Sequence, residues 1–253
     1  PPPPPPPFLF NRPPPRYKIL PTTTLFRSEG GWTSRYADAW NVEFTTEEGI
    51  RVTGQLFVPR APQQQHAALI QLKGAADIVY PVDYDFLLPA LGRQVVLVLH
   101  PRAVDYPVDN FRLATLKRTA AMVGATIESM QVWDILRAVD FLTEEEKLPL
   151  ASVSVYGRRE MGALGIYAAA LDERITRVIL DEPPATHWDG PPLLNVLRLT
   201  DLPEAAALVA PREIVSLTAL PQPYDYTASV YALYGAKRAM RRADGLFGAL
   251  NIR

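Results

Sequence analysis

Five short apolar runs punctuate the chain: "HAALIQL" from His66, "VVLVLH" from Val95, "SVSVY" from Ser152, "RVILD" from Arg177 and "EIVSL" from Glu213. Each has strand length, and the segments between them carry helical pattern, which predicts buried parallel strands joined by crossover helices. Upstream, "WNVEFTTEEGIRVTGQLFVP" holds two runs rich in β-branched and aromatic residues around Glu47, Glu48 and Gly49. That spacing predicts a hairpin with strands near Val42–Thr45 and Ile50–Val58. Between Ile127 and Thr143, Val132, Ile135, Leu136, Val139 and Leu142 share one face of a helix that should lead into the Val153 strand, after a solvated "EEEK". No run of about 18 apolar residues is present, so no membrane span is expected in the chain as given. The predicted architecture is α/β, a mostly parallel central sheet with helices on both faces and an N-terminal β-hairpin.

Composition narrows the function classes. The net charge of −1, from 26 basic and 27 acidic residues, provides no overall field for nucleic acid or an anionic membrane. With no cysteines, disulfides, thiolate metal sites and a cysteine nucleophile are all excluded. A length of 253 residues suits one large domain. The boundary falls after residue 24, dividing a proline-rich arm (1–24) from a single domain (25–253).

Ten of the first fifteen residues are proline, which favours an extended polyproline II segment. It reads as a stiff spacer or as a docking arm. Phe8, Leu9, Phe10 and Tyr17 offer apolar side chains to a protein partner's groove, which favours contact with a neighbouring protein. The chain starts at Pro1 without an initiator methionine, from which a removed signal or anchor, and so a periplasmic or secreted location, is expected.

The stretch "VSVYGRREMGALGIYAAALD" opens as a strand, turns sharply at Gly157 and continues as a helix of small residues. Together with "ALIQLKG", "LVLHPRAVD", "QVWDILRAVDFL" and "RVILDEPPATH", it resembles the α/β-hydrolase superfamily, and within it the acetyl xylan esterase and prolyl-oligopeptidase-like branches. The resemblance spans roughly residues 40–240. It implies the α/β-hydrolase fold and a nucleophile in G-x-S-x-G at the strand-to-helix turn. In "GRREMGA", Gly157 matches the first glycine, Arg159 falls on the serine position, and Gly162 comes one place late. A guanidinium stays protonated and cannot act as the nucleophile. Ser152 and Ser154 belong to the strand. The resemblance also implies an acid after "EIVSL", where Thr218 to Pro221 stand and Asp225 lies too far on. It further implies a histidine base near the C-terminus, where there is none among His66, His100 and His187. Lys73-Gly74 replaces the His-Gly often found at the oxyanion hole.

Other candidates are weighed on the same footing. Asp181, Glu182, His187 and Asp189 gather after a predicted strand, at the edge where α/β folds place ligands, and a locally hydrogen-bonded loop explains them as well. Their spacing matches no recognised metal motif, and neither metal nor cofactor is expected. Glu160 beside Arg158 and Arg159 forms either an anion-binding cluster or a salt-bridged helix start. His100 reads as a satisfied strand end. The degenerate elbow is therefore Gly157, Arg158, Arg159, Glu160 and Gly162, with Arg159 expected to fill the space where substrate would meet a serine. The expected role is a noncatalytic structural or accessory subunit of an assembly, docked partly through its arm. The alternative is an esterase-like hydrolase or small-ligand binder with an unconventional site in the inherited cleft, where Arg158 or Arg159 holds a carboxylate or phosphate.

Overall fold

The computed structural model describes residues 24–26, 37–60, 65–74, 84–87, 89–104 and 110–251. The proline arm, with Phe8, Leu9, Phe10 and Tyr17, lies outside them. Among the described residues, nine strands form one sheet: β1 (Thr24–Phe26), β2 (Ala37–Glu47), β3 (Ile50–Pro59), β4 (His66–Leu72), β5 (Val95–His100), β6 (Leu150–Arg158), β7 (Ile175–Asp181), β8 (Glu213–Ser216) and β9 (Met240–Arg242). Their spatial order is β1-β2-β3-β5-β4-β6-β7-β8-β9. The first three pair antiparallel, β3 joins β5 antiparallel, and from β5 to β9 every pairing is parallel. The mostly parallel sheet with an N-terminal hairpin, expected from the run of strands, is the one observed.

Among the described residues, seven α-helices connect and cover the sheet: α1 (Tyr84–Leu87), α2 (Asn110–Met122), α3 (Ile127–Asp140), α4 (Glu160–Leu171), α5 (Leu202–Ala207), α6 (Asp225–Leu233) and α7 (Gly245–Ala249). Because side chains alternate along a strand, each buried strand feeds two cores. Val155, Leu97, Ile70 and Val178 pack on one side with Ile135 of α3, Leu164 of α4 and Leu202 of α5. Val96, Val98, Leu69 and Ile179 pack on the other with Leu87 of α1 and Leu246 of α7. Strands buried on both faces read as continuous apolar runs, which is why the sequence announces them so plainly.

The hairpin strands are longer than the sequence expectation, because Ala37 to Asn41 continue the ladder opposite Pro59 to Gln55. Strand β1 begins at Thr24, which pairs with Glu43 of β2. Helix α3 begins at a reciprocal cap: Thr126 Oγ1 accepts from the Ser129 amide and Ser129 Oγ accepts from the Thr126 amide, each at 2.9 Å. It ends at Asp140, where Phe141–Glu145 form one wider turn.

One buried ion pair ties this helix to the sheet. Asp134 of α3 is fully buried. It accepts from the Arg102 amide at 2.9 Å and from the Arg102 guanidinium at 2.6 Å (Nη2) and 3.0 Å (Nε). The same guanidinium reaches Thr46 Oγ1 and Glu47 Oε1 at the hairpin tip. Burial alone would lower the Arg102 pKa; the bonds to Asp134 outweigh it, and the group is held above its ordinary value.

Candidate functional site

The parallel strands β6 and β7 bring two stretches together that are far apart in sequence. Their register sets Gly157 opposite Leu180 and Arg158 opposite Asp181, so both strands end at the same edge. The next residue on each, Arg159 and Glu182, has a left-handed backbone, with φ of 51° and 49°. Arg159 caps α4 at ψ −123°, its amide donating to Asp181 O at 2.8 Å and its carbonyl accepting from the Gly162 amide at 3.0 Å.

The turn needs glycine at two places for one reason. A Cβ on Gly157 would stand 2.4 Å from the Met161 carbonyl carbon and 2.5 Å from the Gly162 nitrogen, and one on Gly162 would stand 2.9 Å from Gly157 O. Strand and helix touch through bare backbone there. β6 runs on through Gly157 to Arg158, so the bend comes at Arg159 and not at the glycine, a small correction to the sequence reading.

Side chains at this edge converge on Glu182. Its Oε2 accepts from Arg158 Nη2 at 3.0 Å and from Arg159 Nε at 3.1 Å. Arg158 also lies 3.6 Å from Asp181 Oδ2, which accepts from the Tyr156 hydroxyl at 3.2 Å. The Glu182 amide donates to Thr218 Oγ1 at 2.8 Å. The bonds from Arg159, then Arg158, hold the Glu182 carboxyl below the usual glutamate range. The Glu182 bond, in turn, holds the Arg158 guanidinium above its ordinary value.

Two expectations change here. The carboxylate pairing with both arginines is Glu182 and not the adjacent Glu160, because the β6–β7 register juxtaposes strand ends while Glu160 already belongs to α4. Arg159 does not fill the serine's space: its side chain is 63% exposed and reaches outward to Glu182. Tyr156 and the Thr218 hydroxyl join the site without having been singled out as participants. The signal for Glu182 was available, since the ends of adjacent parallel strands must meet.

The remaining candidates separate. His187 is buried, its Nε2 2.7 Å from the Tyr167 hydroxyl and its Nδ1 2.7 Å from Pro191 O, as the locally hydrogen-bonded reading expected. Asp189 is exposed on the same loop. His66 lies buried at the start of β4, the opposite edge of the sheet. His100 ends β5 and lines a cleft of about 250 Å³ together with Thr53 and Gln55. Lys73, buried, follows β4 and donates its amide to Leu99 O at 3.0 Å. Asp225 starts α6 in solvent. Among the described residues no group of three or more histidine, aspartate or glutamate side chains is arranged to hold a metal.

Residues 24–190 match the family described as acetyl xylan esterase (AXE1). No curated protein sequence matches the chain. Among solved structures, a Bacteroides fragilis protein assigned as an acetyl xylan esterase superimposes with a TM-score of 0.66 at 12% identity, over 88% of this chain and 69% of that one. Acetyl xylan esterase 1 from Thermoanaerobacterium sp. gives 0.56 at 15% identity, over 88% and 80%. A glucuronoyl esterase from Caldicellulosiruptor kristjansonii gives 0.52 at 16%, over 88% and 74%. At such identities the solved structures speak for the fold. The family match overturns the expected noncatalytic, accessory role, since the matched family is one of esterases. The strand-to-helix turn is retained although Arg159 stands at the serine position, so residue identity there does not report the geometry.

Proposed function

Because the chain belongs to the acetyl xylan esterase family, we propose that it is an esterase-like hydrolase acting on carbohydrate esters, with an unconventional site at the β6–α4 turn. The observation that carries this reading is the backbone of Arg159, at φ 51° and ψ −123° in the position a nucleophile would take. A non-glycine residue held there costs on the order of 1–3 kcal/mol. The exposed ion pairs it makes contribute little in return. Strain that local contacts do not offset is typical of a residue whose side chain is being aimed at a ligand.

The chemistry available is hydrolysis by water, without a serine intermediate. Arg158 and Arg159 would donate to the carbonyl oxygen as it gains charge, or to a uronate carboxylate on the sugar. Glu182, anionic throughout the neutral range, would orient the attacking water. The water oxygen bonds to the carbonyl carbon, the ester C–O bond breaks, and the proton that the water gives up ends on the departing alkoxide, so the products are acid and alcohol. We infer further that the serine–histidine route is lost. The turn carries no serine, both ring nitrogens of His187 are engaged, and His100 lies two strand spacings from β6, about 10 Å.

Assay against acetylated xylan, 4-nitrophenyl acetate and methyl uronates tests the proposal. Slow turnover is expected, with Arg158→Ala and Arg159→Ala each lowering kcat/KM at least about tenfold. Arg159→Ser should lower activity as well, since a new hydroxyl would have no base within reach. No turnover of any ester refutes the reading, and turnover indifferent to both arginines removes the turn from it.

A further inference from the structure

The loop that follows β7 is built to hold one indole in solvent. Trp188 is 84% exposed, although its ring is among the largest apolar groups the chain has to bury. Its neighbours are fixed from every side. The His187 imidazole is buried between the Tyr167 hydroxyl of α4 and Pro191 O, and the His187 amide donates to Asp201 Oδ1 at 2.8 Å, the residue that caps α5. The Trp188 amide donates to Thr186 Oγ1 at 2.9 Å and the Asp189 amide to Thr186 O at 3.3 Å. Gly190 passes so close that a Cβ would stand 2.9 Å from Thr186 O. A turn with this many bonds is rigid on its own account. The indole adds nothing to it by burial, so the loop holds an exposed aromatic face in a fixed place.

The loop begins at Glu182, the carboxylate of the arginine site, and emerges at the carboxyl ends of the parallel strands, where open α/β sheets bind ligands. We propose that Trp188 is a stacking platform for a pyranose ring of a β-linked, xylan-type oligosaccharide, outside the reacting ester group. The C–H bonds on one face of a pyranose meet the electron-rich face of an indole, and Asp189 beside it supplies a carboxylate for sugar hydroxyls. A preordered ring loses little conformational entropy on binding, so one stacked sugar adds usable affinity. This inference rests on the carbohydrate-ester reading for its choice of sugar, but the binding it describes does not require turnover.

The test is binding of xylohexaose to the full chain, followed by indole fluorescence and by calorimetry, with xylan-affinity gel electrophoresis in parallel. Trp188→Ala should weaken binding at least about tenfold and Trp188→Phe much less, with circular dichroism and Tm unchanged because the side chain is exposed. If the esterase reading is correct as well, Trp188→Ala should raise KM on acetylated xylan and leave turnover of 4-nitrophenyl acetate unaltered. Saccharide binding with no turnover of any ester sinks the esterase reading and leaves the platform standing. Xylohexaose binding that is absent, or equal in wild type and Trp188→Ala, overturns the platform, and so does an effect of Trp188→Ala confined to self-association, which would make the indole a protein contact.

Discussion

Replacing Asp134 by alanine should be among the most damaging changes in the protein, and its cost can be worked from the contacts. The substitution removes a fully buried carboxylate that accepts four bonds from Arg102, whose side chain is 12% exposed. Breaking such a pair by removing one partner costs about 3–5 kcal/mol, since the other charge stays buried. Arg102 keeps Glu47, but that carboxylate is 47% exposed and screened, so it offers little relief. A loss near 3 kcal/mol is therefore the expected floor, equivalent to about 6–12 °C in Tm for a chain of this size. Urea unfolding followed by circular dichroism measures it. The double change Arg102→Met with Asp134→Leu removes both charges together and should recover most of the loss. A penalty below about 1 kcal/mol for Asp134→Ala, or a double variant no better than the single, would refute the assignment of this pair as a tie between hairpin and helix.

Other consequences are open to direct measurement. Gly157→Ala should cost about 3 kcal/mol in urea unfolding, at the upper end of ordinary overpacking, because its Cβ meets backbone that cannot turn aside. Glu146 has its carboxyl raised above the usual range by burial, so its charged form is penalised in the folded protein. For such an acid the penalty grows as pH rises through the ordinary glutamate value; Glu146→Gln should raise Tm at pH 7 and lose that advantage below about pH 4. Glu182 runs the other way: its lowered carboxyl keeps the arginine contacts intact down through the usual glutamate range and releases them only in stronger acid. Its side-chain carbon resonances, titrated by NMR, should show a midpoint below that of a glutamate in a peptide, and a midpoint at or above it would contradict the paired geometry.

How much of this was legible beforehand depends on whether the information is local. "VVLVLH" and "HAALIQL" announce buried strands because every position faces a core, and the sheet followed. The turn at Gly157 to Gly162 was legible as well, because close backbone contact leaves glycine as its mark. The partner of Arg158 and Arg159 was hidden, since Glu182 is 23 residues beyond Arg159 in sequence and only strand register brings it near. Neighbouring Glu160 was the easier choice and the wrong one. The function was misjudged for a related reason: residue identities at three expected positions outweighed a backbone geometry that identities do not report.

Helix α4 has a consequence beyond connecting two strands. Its first turn carries the arginine bend, and two turns later its Tyr167 hydroxyl grips His187. At about 1.5 Å per residue, the eight steps from Arg159 to Tyr167 make a ruler of about 12 Å. The spacing between bend and loop anchor is thus written in helix length, not in loop conformation. One residue inserted between them would swing Tyr167 through about 100° and let go of the loop while leaving the bend as it was. The bend and the loop keep their distance because a single rod holds both.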